Sequence, residues 1–566
     1  MTALRADGDF GTALSRIDAL FDRAISYVPA SAEKIFRDVA FTRRLVRRLS
    51  EAQEQPRRDL LTYLLDNQRF ARALVFCMDP EHDQASKVFA LVDRLRRERG
   101  QHLDKLATLA AAICVVHDDP KPMRVNENTA RSPDPIAIFD FYAGNAQHML
   151  FGVREMPTEL LVYVVDVSAS IDEMRWALNR YGGDTNVGRR FFDIEYDYDH
   201  LTKGAKKDVT QAGWNLPNIL KHGGICADQA YFAVTVGKSI GVPATYTVGK
   251  SARSAHAWVG FLQTDRKRAW WNFNSGRYKD YQNARGIVKD PQTRQSVPDS
   301  TVALLAAHVR SAVSDREYAA AMTDCSHRVA AARDGGSFVA APLTEAIGEP
   351  LRTPTLEHAL DLLEGGLRKS PGYTAGWLSL QSLSKAEDFT LAHRREWGTF
   401  LHKLCGRRYQ DFYLQIVSEM IESIDDPKEQ NRFWNTAFET FSNRPDLAAS
   451  VRVSQGRMWM KHDQVERAGR CFEDVIVRYA NAGPFVVDAL THAAGILREQ
   501  RDGRRLLALY KTTWNRTRRP KEAWSRQFAR QSNWHRVGEG YAKVLEEAGR
   551  SADANRVRAE LGKTTG

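Results

Sequence analysis

The spacing of apolar positions divides the chain into three regions. Up to about residue 120, apolar side chains recur every three or four residues with charges between them, as in "ALSRIDALFDRAISYV", which predicts amphipathic helices. A polar, proline-bearing stretch then predicts a linker. Short strand-like runs alternate with helical ones up to about residue 300, and the helical period returns afterwards. We therefore expect a helical N-terminal domain over 1–120, an α+β core over 135–300 and a helical region over 301–566.

The second half of the core reads as one helix followed by strands. "CADQAYFAVTVGKS" predicts a helix from about Cys226 to Ser239, which Gly241 ends and Pro243 prevents from resuming. An antiparallel sheet packed on this helix is the expected arrangement. The strand-like runs that form it are 244–250, 256–262 and 268–274.

An acidic segment upstream of this helix predicts another strand. "RRFFDIEYDYDHL" alternates with the two-residue period, which places Asp193, Glu195, Asp197 and Asp199 on one face. Calcium also prefers oxygen ligands, but these converge from loops. A solvated strand face is therefore the favoured interpretation.

A second acidic motif allows two interpretations. "VVDVSASID" places Asp166, Ser168 and Ser170 at the spacing of the metal-site motif of von Willebrand A domains. Ser170 and Glu173 also form a capping box, in which the serine oxygen accepts the N3 amide and the glutamate reaches back. We favour the helix cap, because too little chain separates the motif from Cys226 for that whole fold.

The C-terminal region carries degenerate helical repeats. Small and large residues recur as in tetratricopeptide units, where the small ones permit close helix approach and the large ones fill the gap. We predict an α-solenoid-like region whose surface could bind a protein partner, with a non-repetitive helical bundle as the alternative. The matching segments are Ala359-x3-Leu363 with Trp377, Gly456-x2-Trp459 with Ala468-x3-Phe472, and "WHRVGEGY".

Charge and cysteine content exclude several classes of protein. The net charge of +11 is interpreted as solvated helix faces, since no aromatic-plus-basic RNA-binding signature accompanies it. Six widely separated cysteines without a CxxC pair argue against a zinc site and a disulfide framework, so no metal or cofactor is expected. The longest apolar run, 106–116, is too short to span a bilayer. A cytoplasmic location is expected, or a periplasmic or secreted one if a signal peptide was removed.

Cys226 is the residue whose surroundings most favour chemistry. It lies in the first turn of its helix, where unpaired N–H groups and the helix dipole stabilise an anion. Such an environment lowers a thiol pKa and favours the thiolate, and the same N–H groups could hold an oxyanion. Glycines at 223 and 224 are expected to let a substrate carbonyl approach the backbone.

A nucleophilic thiolate needs a base, and the base needs an orienting group. The second strand begins with His256 and the third ends with Asn274, so both could meet near the N-terminus of the helix. Asn272 lies on the same face of its strand as Asn274, which leaves their roles open to exchange.

These four blocks together resemble a known family. Gly-Gly-Ile-Cys, "GVPATYTVGK", "HAWVGF" and "AWWNFN" follow one another as in the transglutaminase-like core of the papain-like cysteine enzymes, over about 60 residues or roughly a tenth of the chain. The resemblance implies that Cys226 is the nucleophile and His256 the general base and acid. It places Asn274 at the orienting position, which is usually Asp in this family. It also implies an upstream oxyanion donor, for which Trp214 is favoured over Asn215 and Asn218.

The function expected from this resemblance is acyl transfer on a peptide or protein substrate. Peptidase or amidase activity is favoured over protein crosslinking, by analogy with the bacterial-type members of the superfamily. The alternative is a catalytically degenerate scaffold that binds a protein partner on its helical repeats. A third hypothesis, binding to nucleic acid or another anionic surface, rests on charge alone.

Overall fold

The computed structural model describes residues 9–27, 32–52, 57–335, 354–406, 408–520 and 524–565. The protein is mostly helical, with a five-stranded antiparallel sheet and a separate two-stranded hairpin. At the level of secondary structure this confirms the expected α+β core flanked by helices. Among the described helices, none combines the length and hydrophobicity that crossing a membrane requires.

The N-terminal region is helical, as its apolar spacing predicts. Each helix turns a stripe of apolar side chains inward, and the last one is buried almost all round, which accounts for the longest apolar run. The helices are α1 (Phe10–Tyr27), α2 (Glu33–Glu51), α3 (Arg57–Asp66), α4 (Gln68–Cys77), α5 (Ala85–Leu103) and α6 (Ala107–Val116).

A hairpin and three helices follow. The hairpin lies within the predicted linker and turns at Asn126, whose φ is 53°. Ser170 Oγ accepts the N–H of Glu173 at 3.2 Å, and Glu173 Oε2 accepts the N–H of Ser170 at 3.0 Å, which confirms the capping box. The elements are β1 (Met123–Val125), β2 (Asn128–Ala130), α7 (Pro135–Gly144), α8 (Thr158–Val165) and α9 (Ile171–Tyr181).

The acidic segment before the core helix is not a strand, so that prediction was wrong. Val187–Asp193 form a 3-10 helix and Tyr198–Lys203 form α10. The carboxylate of Asp197 accepts the N–H of His200 at 2.9 Å and caps α10. Capping by a short acidic side chain therefore prevailed over the alternating pattern. Two short helices follow, α11 (Asp208–Ala212) and α12 (Leu216–His222).

The core helix and its three strands are confirmed. The helix, α13, runs Cys226–Ser239, and Gly241 ends the segment in the left-handed region with a φ of 80°. The sheet has the order β5-β4-β3-β6-β7 and every neighbouring pair is antiparallel. Its strands are β3 (Ala244–Lys250), β4 (Ala255–Thr264), β5 (Ala269–Asn272), β6 (Gly286–Lys289) and β7 (Ser296–Pro298).

Two hydrophobic cores meet at this sheet. Ala257, Val259 and Phe261 belong to the core that contains the buried residues of α13. Leu262 and Trp271 belong to a second core that they share with the N-terminal helices. Because that second core extends from α1 into the sheet, it crosses the predicted boundary near residue 120, and the division into three domains stays a prediction.

Helices make up the C-terminal region. A Cβ on Gly456 would lie 2.5 Å from the ring of Phe472, so α21 and α22 touch where the repeat pattern places a small residue against a large one. The solenoid assignment itself stays a prediction. The helices are α14 (Asp299–Leu304), α15 (Val313–Arg333), α16 (Leu356–Lys369), α17 (Thr374–Leu383), α18 (Leu391–Leu401), α19 (Gln410–Glu422), α20 (Pro427–Thr440), α21 (Pro445–Lys461), α22 (Val465–Arg478), α23 (Phe485–Glu499), α24 (Gly503–Arg516), α25 (Arg526–Ala529), α26 (Asn533–Glu547) and α27 (Ser551–Gly562).

The end of the chain returns to the core beside the start of β4. The N–H of Asn533 donates to the carbonyl of Ala252 at 2.8 Å, and the N–H of Ala255 donates to Gln531 Oε1 at 3.1 Å. The C-terminal helices therefore lie against the same end of the sheet that carries His256.

Candidate cysteine–histidine site

Cys226 occupies the first position of α13 and is a free, partly exposed thiol. The backbone N–H groups of Ala227 and Ala257 face its sulfur closely enough to lower the pKa of the thiol. Ala227 belongs to the first turn of the helix, whereas Ala257 belongs to β4 and follows His256 directly. The structure therefore places the thiol near the start of β4, and the catalytic roles assigned to Cys226 and His256 stay predictions.

The two glycines before the cysteine are required by packing within the loop. Gly223 has a φ of 74°, and a Cβ there would lie 2.6 Å from the carbonyl oxygen of Glu195. A Cβ on Gly224 would lie 2.5 Å from the Cβ of Asp228. These contacts account for both glycines without a substrate, so the proposed role in admitting a substrate carbonyl is not needed to explain them.

A buried carboxylate that the sequence reading missed organises the start of the helix. Asp228 is fully buried, and both of its oxygens accept from Lys207 Nζ at 2.8 Å. Its Oδ2 also accepts the N–H of Ile225 at 2.9 Å. The carboxylate satisfies an otherwise unpaired amide of the first turn and fixes the loop that carries Cys226.

Trp214 is the third donor to this carboxylate, after Lys207 and Ile225. Its Nε1 donates to Asp228 Oδ1 at 2.9 Å, and its ring lies against Tyr231 with centroids 4.3 Å apart. An indole has a single N–H, so it is committed to Asp228. The prediction that Trp214 supplies the oxyanion donor is therefore corrected: the indole supports the helix start instead.

His256 is buried and its ring is held from several sides. Nε2 lies 2.6 Å from the carbonyl oxygen of Gly276. The rings of Tyr278 and Tyr281 pack on the imidazole with centroid distances of 4.7 and 4.6 Å. Because a carbonyl only accepts, Nε2 carries the proton, and Nδ1 is the unprotonated nitrogen of the neutral ring.

Asn274 does not make the orienting contact that was predicted for it. The residue is exposed beyond the end of β5, and its N–H donates to Asn272 Oδ1 at 2.9 Å. Asn272 in turn donates through Nδ2 to Gln263 Oε1 at 2.9 Å, so neither asparagine takes the role at Nε2. The chain turns directly after the strand, and this turn delivers the carbonyl of Gly276 to the ring.

The electrostatics of the two groups favour their neutral forms. Burial is the largest cause of the raised pKa of Cys226, about 11, and the Asp228 carboxylate raises it further, while the N–H groups of Ala257 and Ala227 oppose the shift. Burial lowers the pKa of His256 to about 4, and the hydrogen bond that its Nε2–H donates to the carbonyl of Gly276 opposes this shift. At neutral pH the resting pair is a thiol and an imidazole. Among the described residues there is no hydrogen bond between the thiol and the ring.

Tyrosine side chains lie near the thiol. Burial and then the neighbouring Cys226 raise the pKa of Tyr196 above its ordinary range, and the same two causes raise that of Tyr278 to about 12. Tyr198 packs on Tyr196 with centroids 5.1 Å apart. Tyr198 and Tyr278 are 66% and 42% exposed, so part of this aromatic surface is open to solvent.

Sequence reasoning could have found only part of what it missed. Asp228 occupies the N3 position of the helix, where an acidic residue commonly caps, and this spacing is visible in Cys-Ala-Asp. Its partner Lys207 lies in the segment directly before α11 and carries no such signal. The contact from Gly276 is made by a backbone carbonyl, which every residue possesses, so no residue type could have indicated it.

Comparisons with known proteins add little to this geometry. No family model matches the chain, and no curated protein matches it significantly. Among solved structures, a crystal structure of menin, described as revealing the binding site for the Mixed Lineage Leukemia (MLL) protein, aligns over 85% of this chain and 98% of that one at 12% identity, with a TM-score of 0.16. A TM-score this low supports no conclusion about fold or function.

Proposed function

We propose that the protein catalyses cysteine-dependent acyl transfer on an amide or peptide, with Cys226 as nucleophile and His256 as proton carrier. One observation carries the proposal: the sulfur of Cys226, at the start of α13, is faced by a backbone N–H of its own helix and by the N–H of the residue next to His256. The resemblance to the transglutaminase-like core supports the same reaction class. Hydrolysis is favoured over crosslinking by that analogy.

The protonation states define how the reaction would begin. Since Nε2 of His256 donates to the carbonyl of Gly276, its Nδ1 lone pair is free to accept the thiol proton of Cys226. The sulfur then attacks the substrate carbonyl carbon, and the C=O electron pair moves to oxygen. N–H groups at the start of α13 stabilise the resulting oxyanion.

The second half of the cycle returns the proton. The C–N bond breaks, and Nδ1–H of His256 donates its proton to the leaving amine. This leaves an acyl group on Cys226 as a thioester. Water, or a second amine, then attacks the thioester with the same nitrogen as base, and the thiol is restored.

A second candidate function is a scaffold whose core no longer catalyses. Two observations favour it: Nε2 of His256 meets a backbone carbonyl where the family has a carboxylate, and the pKa of Cys226, about 11, leaves little thiolate at neutral pH. In this case the helical regions would carry the function by binding a protein partner.

Acylation by a simple activated ester distinguishes the two candidates. The full chain is mixed with p-nitrophenyl acetate, and p-nitrophenol release is followed together with the intact mass. If the protein is an enzyme, we expect one acetyl group on Cys226. The modification should be absent in Cys226→Ser, and its rate should fall at least about a hundredfold in His256→Gln. Cys77→Ser removes the other partly exposed thiol and is the matched control that retains the modification.

Labelling of Cys226 no faster than that of a free cysteine in solution, and unchanged by His256→Gln, would overturn the proposed reaction and favour the scaffold. A panel of peptides, followed by mass mapping of the acylated residue, then identifies the acyl donor for an active enzyme.

A further inference from the structure

A basic groove runs between the core and the C-terminal helices, away from Cys226. It consists of a cleft of about 580 Å³ and an adjoining shallow depression of about 730 Å³, which share Val477 and Arg478 in their lining. The core contributes the loop around Lys279, and the helical region contributes α22 and the end of α24. We call it the arginine groove; its cationic residues are Lys279, Arg452, Arg467, Arg470, Arg478, Arg516 and Arg518.

The floor of the groove is one face of α22. Arg467, Arg470 and Arg478 follow one another at three- to four-residue spacing or its multiples, so they share a face. The opposite face buries Ala468 and Phe472 in the hydrophobic core. From the first to the last of these arginines the helix rises about 16 Å, which an extended peptide of about five residues spans.

Most cations of the groove have no anionic partner in the part of the chain that the structure describes. No carboxylate lies within 4.0 Å of the charged groups of Lys279, Arg467, Arg470, Arg516 or Arg518 there. Unpaired cations that line one concave surface raise the local concentration of an anionic ligand.

The carboxylates of the lining are already engaged. Asp474 pairs with Arg452 at 3.1 Å and with Arg478 at 3.3 Å. Asp446 similarly pairs with Arg444 at 2.8 Å. The acidic residues therefore leave the positive potential of the remaining arginines largely uncompensated.

The rim is fixed by hydrogen bonds before any ligand arrives. Asn481 Nδ2 donates to the carbonyl of Arg516 at 2.9 Å, and Asn481 Oδ1 accepts the N–H of Arg518 at 2.7 Å. Arg516 Nη1 donates to the carbonyl of Val477 at 3.0 Å, which holds its guanidinium over the groove. Preorganised donors lose less entropy when they bind a ligand.

We propose that the arginine groove binds an acidic peptide segment of a partner protein. Arginine presents paired N–H donors that match a carboxylate, and Val477, 49% exposed at the junction of the clefts, offers an apolar contact for an intervening side chain. Trp459 is the one aromatic side chain among the described residues of the lining and it is buried, so the groove offers no exposed ring on which the bases of a nucleic acid would stack. The proposal is independent of catalysis at Cys226.

Fluorescence anisotropy with the full-length protein tests this inference. The probe is a fluorescein-labelled peptide of six glutamates, with a peptide of six glutamines and single-stranded oligothymidine as comparisons. We expect saturable binding of hexaglutamate, weakened at least about tenfold by Arg516→Glu with Arg518→Glu and also by Arg470→Glu. The matched control is Arg175→Glu on α9, whose exposed side chain lies outside the groove and which should bind like wild type.

Circular dichroism and thermal unfolding confirm that each variant is folded before binding is compared. The inference is overturned if hexaglutamate does not bind saturably, if hexaglutamine binds equally well, or if the control loses as much affinity as the groove variants. Tighter binding of oligothymidine that displaces hexaglutamate would overturn the peptide assignment and assign the groove to nucleic acid.

Discussion

At the residue scale, two opposing effects act on the sulfur of Cys226. The start of a helix supplies N–H groups and a positive dipole end, which lower a thiol pKa. Burial and the fixed negative charge of Asp228, two residues along, raise it. Burial is the larger effect, and the pKa of about 11 is the result. The sequence shows the helix start but does not show how deeply the thiol is enclosed.

The pH dependence of alkylation follows from this balance. With a pKa of about 11, roughly one thiol in ten thousand is ionised at pH 7. The rate of Cys226 alkylation by iodoacetamide should therefore rise continuously with pH through the neutral range. Measurement by mass spectrometry in a Cys77→Ser background checks this, and a plateau below neutral pH, the signature of a thiolate–imidazolium pair, would contradict it.

The buried ion pair behind the cysteine gives a prediction of stability. Lys207→Met leaves the fully buried carboxylate of Asp228 without its cation, so the free energy of unfolding should fall by roughly 3–5 kcal/mol. Chemical denaturation measures this change. The matched control is Lys203→Met, whose exposed pair with Asp199 should contribute nothing measurable.

A second substitution, at the partner Asp228, tests the same ion pair further. Adding Asp228→Asn to Lys207→Met removes the unpaired charge, and part of the lost stability should return. If Lys207→Met alone is as stable as the control, the ion pair between Lys207 and Asp228 does not stabilise the folded protein.

At the element scale, local rules decided much of the core. Local sequence patterns predict the end of α13 at Gly241 and Pro243, and they predict the three strands that follow. The structure has the helix end and the strands at these positions. The segment around Asp197 shows the opposite case, because alternation predicted a strand while side-chain capping formed a helix. A short polar segment is compatible with either a strand or a capped helix, and its contacts with neighbouring elements determine which of the two forms.

The helix pair α21–α22 provides a test at this scale. A Cβ on Gly456 would lie 2.5 Å from the ring of Phe472, so Gly456→Ala should destabilise the protein by about 1–3 kcal/mol. Gly469 lies within α22 itself and has nothing within 4 Å of its Cβ position. Gly469→Ala should stabilise by about 1 kcal/mol through helix propensity. If both substitutions change the thermal unfolding temperature equally, the close approach of α21 to α22 at Gly456 is refuted.

At the scale of the whole molecule, the C-terminal helices and the core are joined by buried charges. Asp411 on α19 is largely buried and accepts from Arg285 of the core at 3.0 Å. It also accepts from Arg444 at 3.1 Å within the helical region. One carboxylate therefore links the segment before β6 to the helices that follow.

Removal of this carboxylate should weaken the joint. Asp411→Ala leaves two partly buried guanidinium groups with fewer partners, so the unfolding free energy should fall by about 2–4 kcal/mol. Asp172→Ala is the control, since that residue is 92% exposed beside Arg175 and should have no measurable effect. Denaturant titration of both variants decides the matter, and identical midpoints would show that Asp411 does not join the regions.

The sequence by itself determined most of the helices, the core strands and the position of Cys226 at a helix start, because periodicity, caps and breakers act between residues close in the chain. Tertiary structure alone decided what surrounds that cysteine. Three features arise from contacts between segments distant in sequence. They are the hydrogen bond from His256 to the carbonyl of Gly276, the hydrogen bond from Trp214 to Asp228, and the burial that raises the pKa of the Cys226 thiol. Burial and hydrogen-bond partners depend on how distant segments pack together, and the local sequence pattern does not specify this packing.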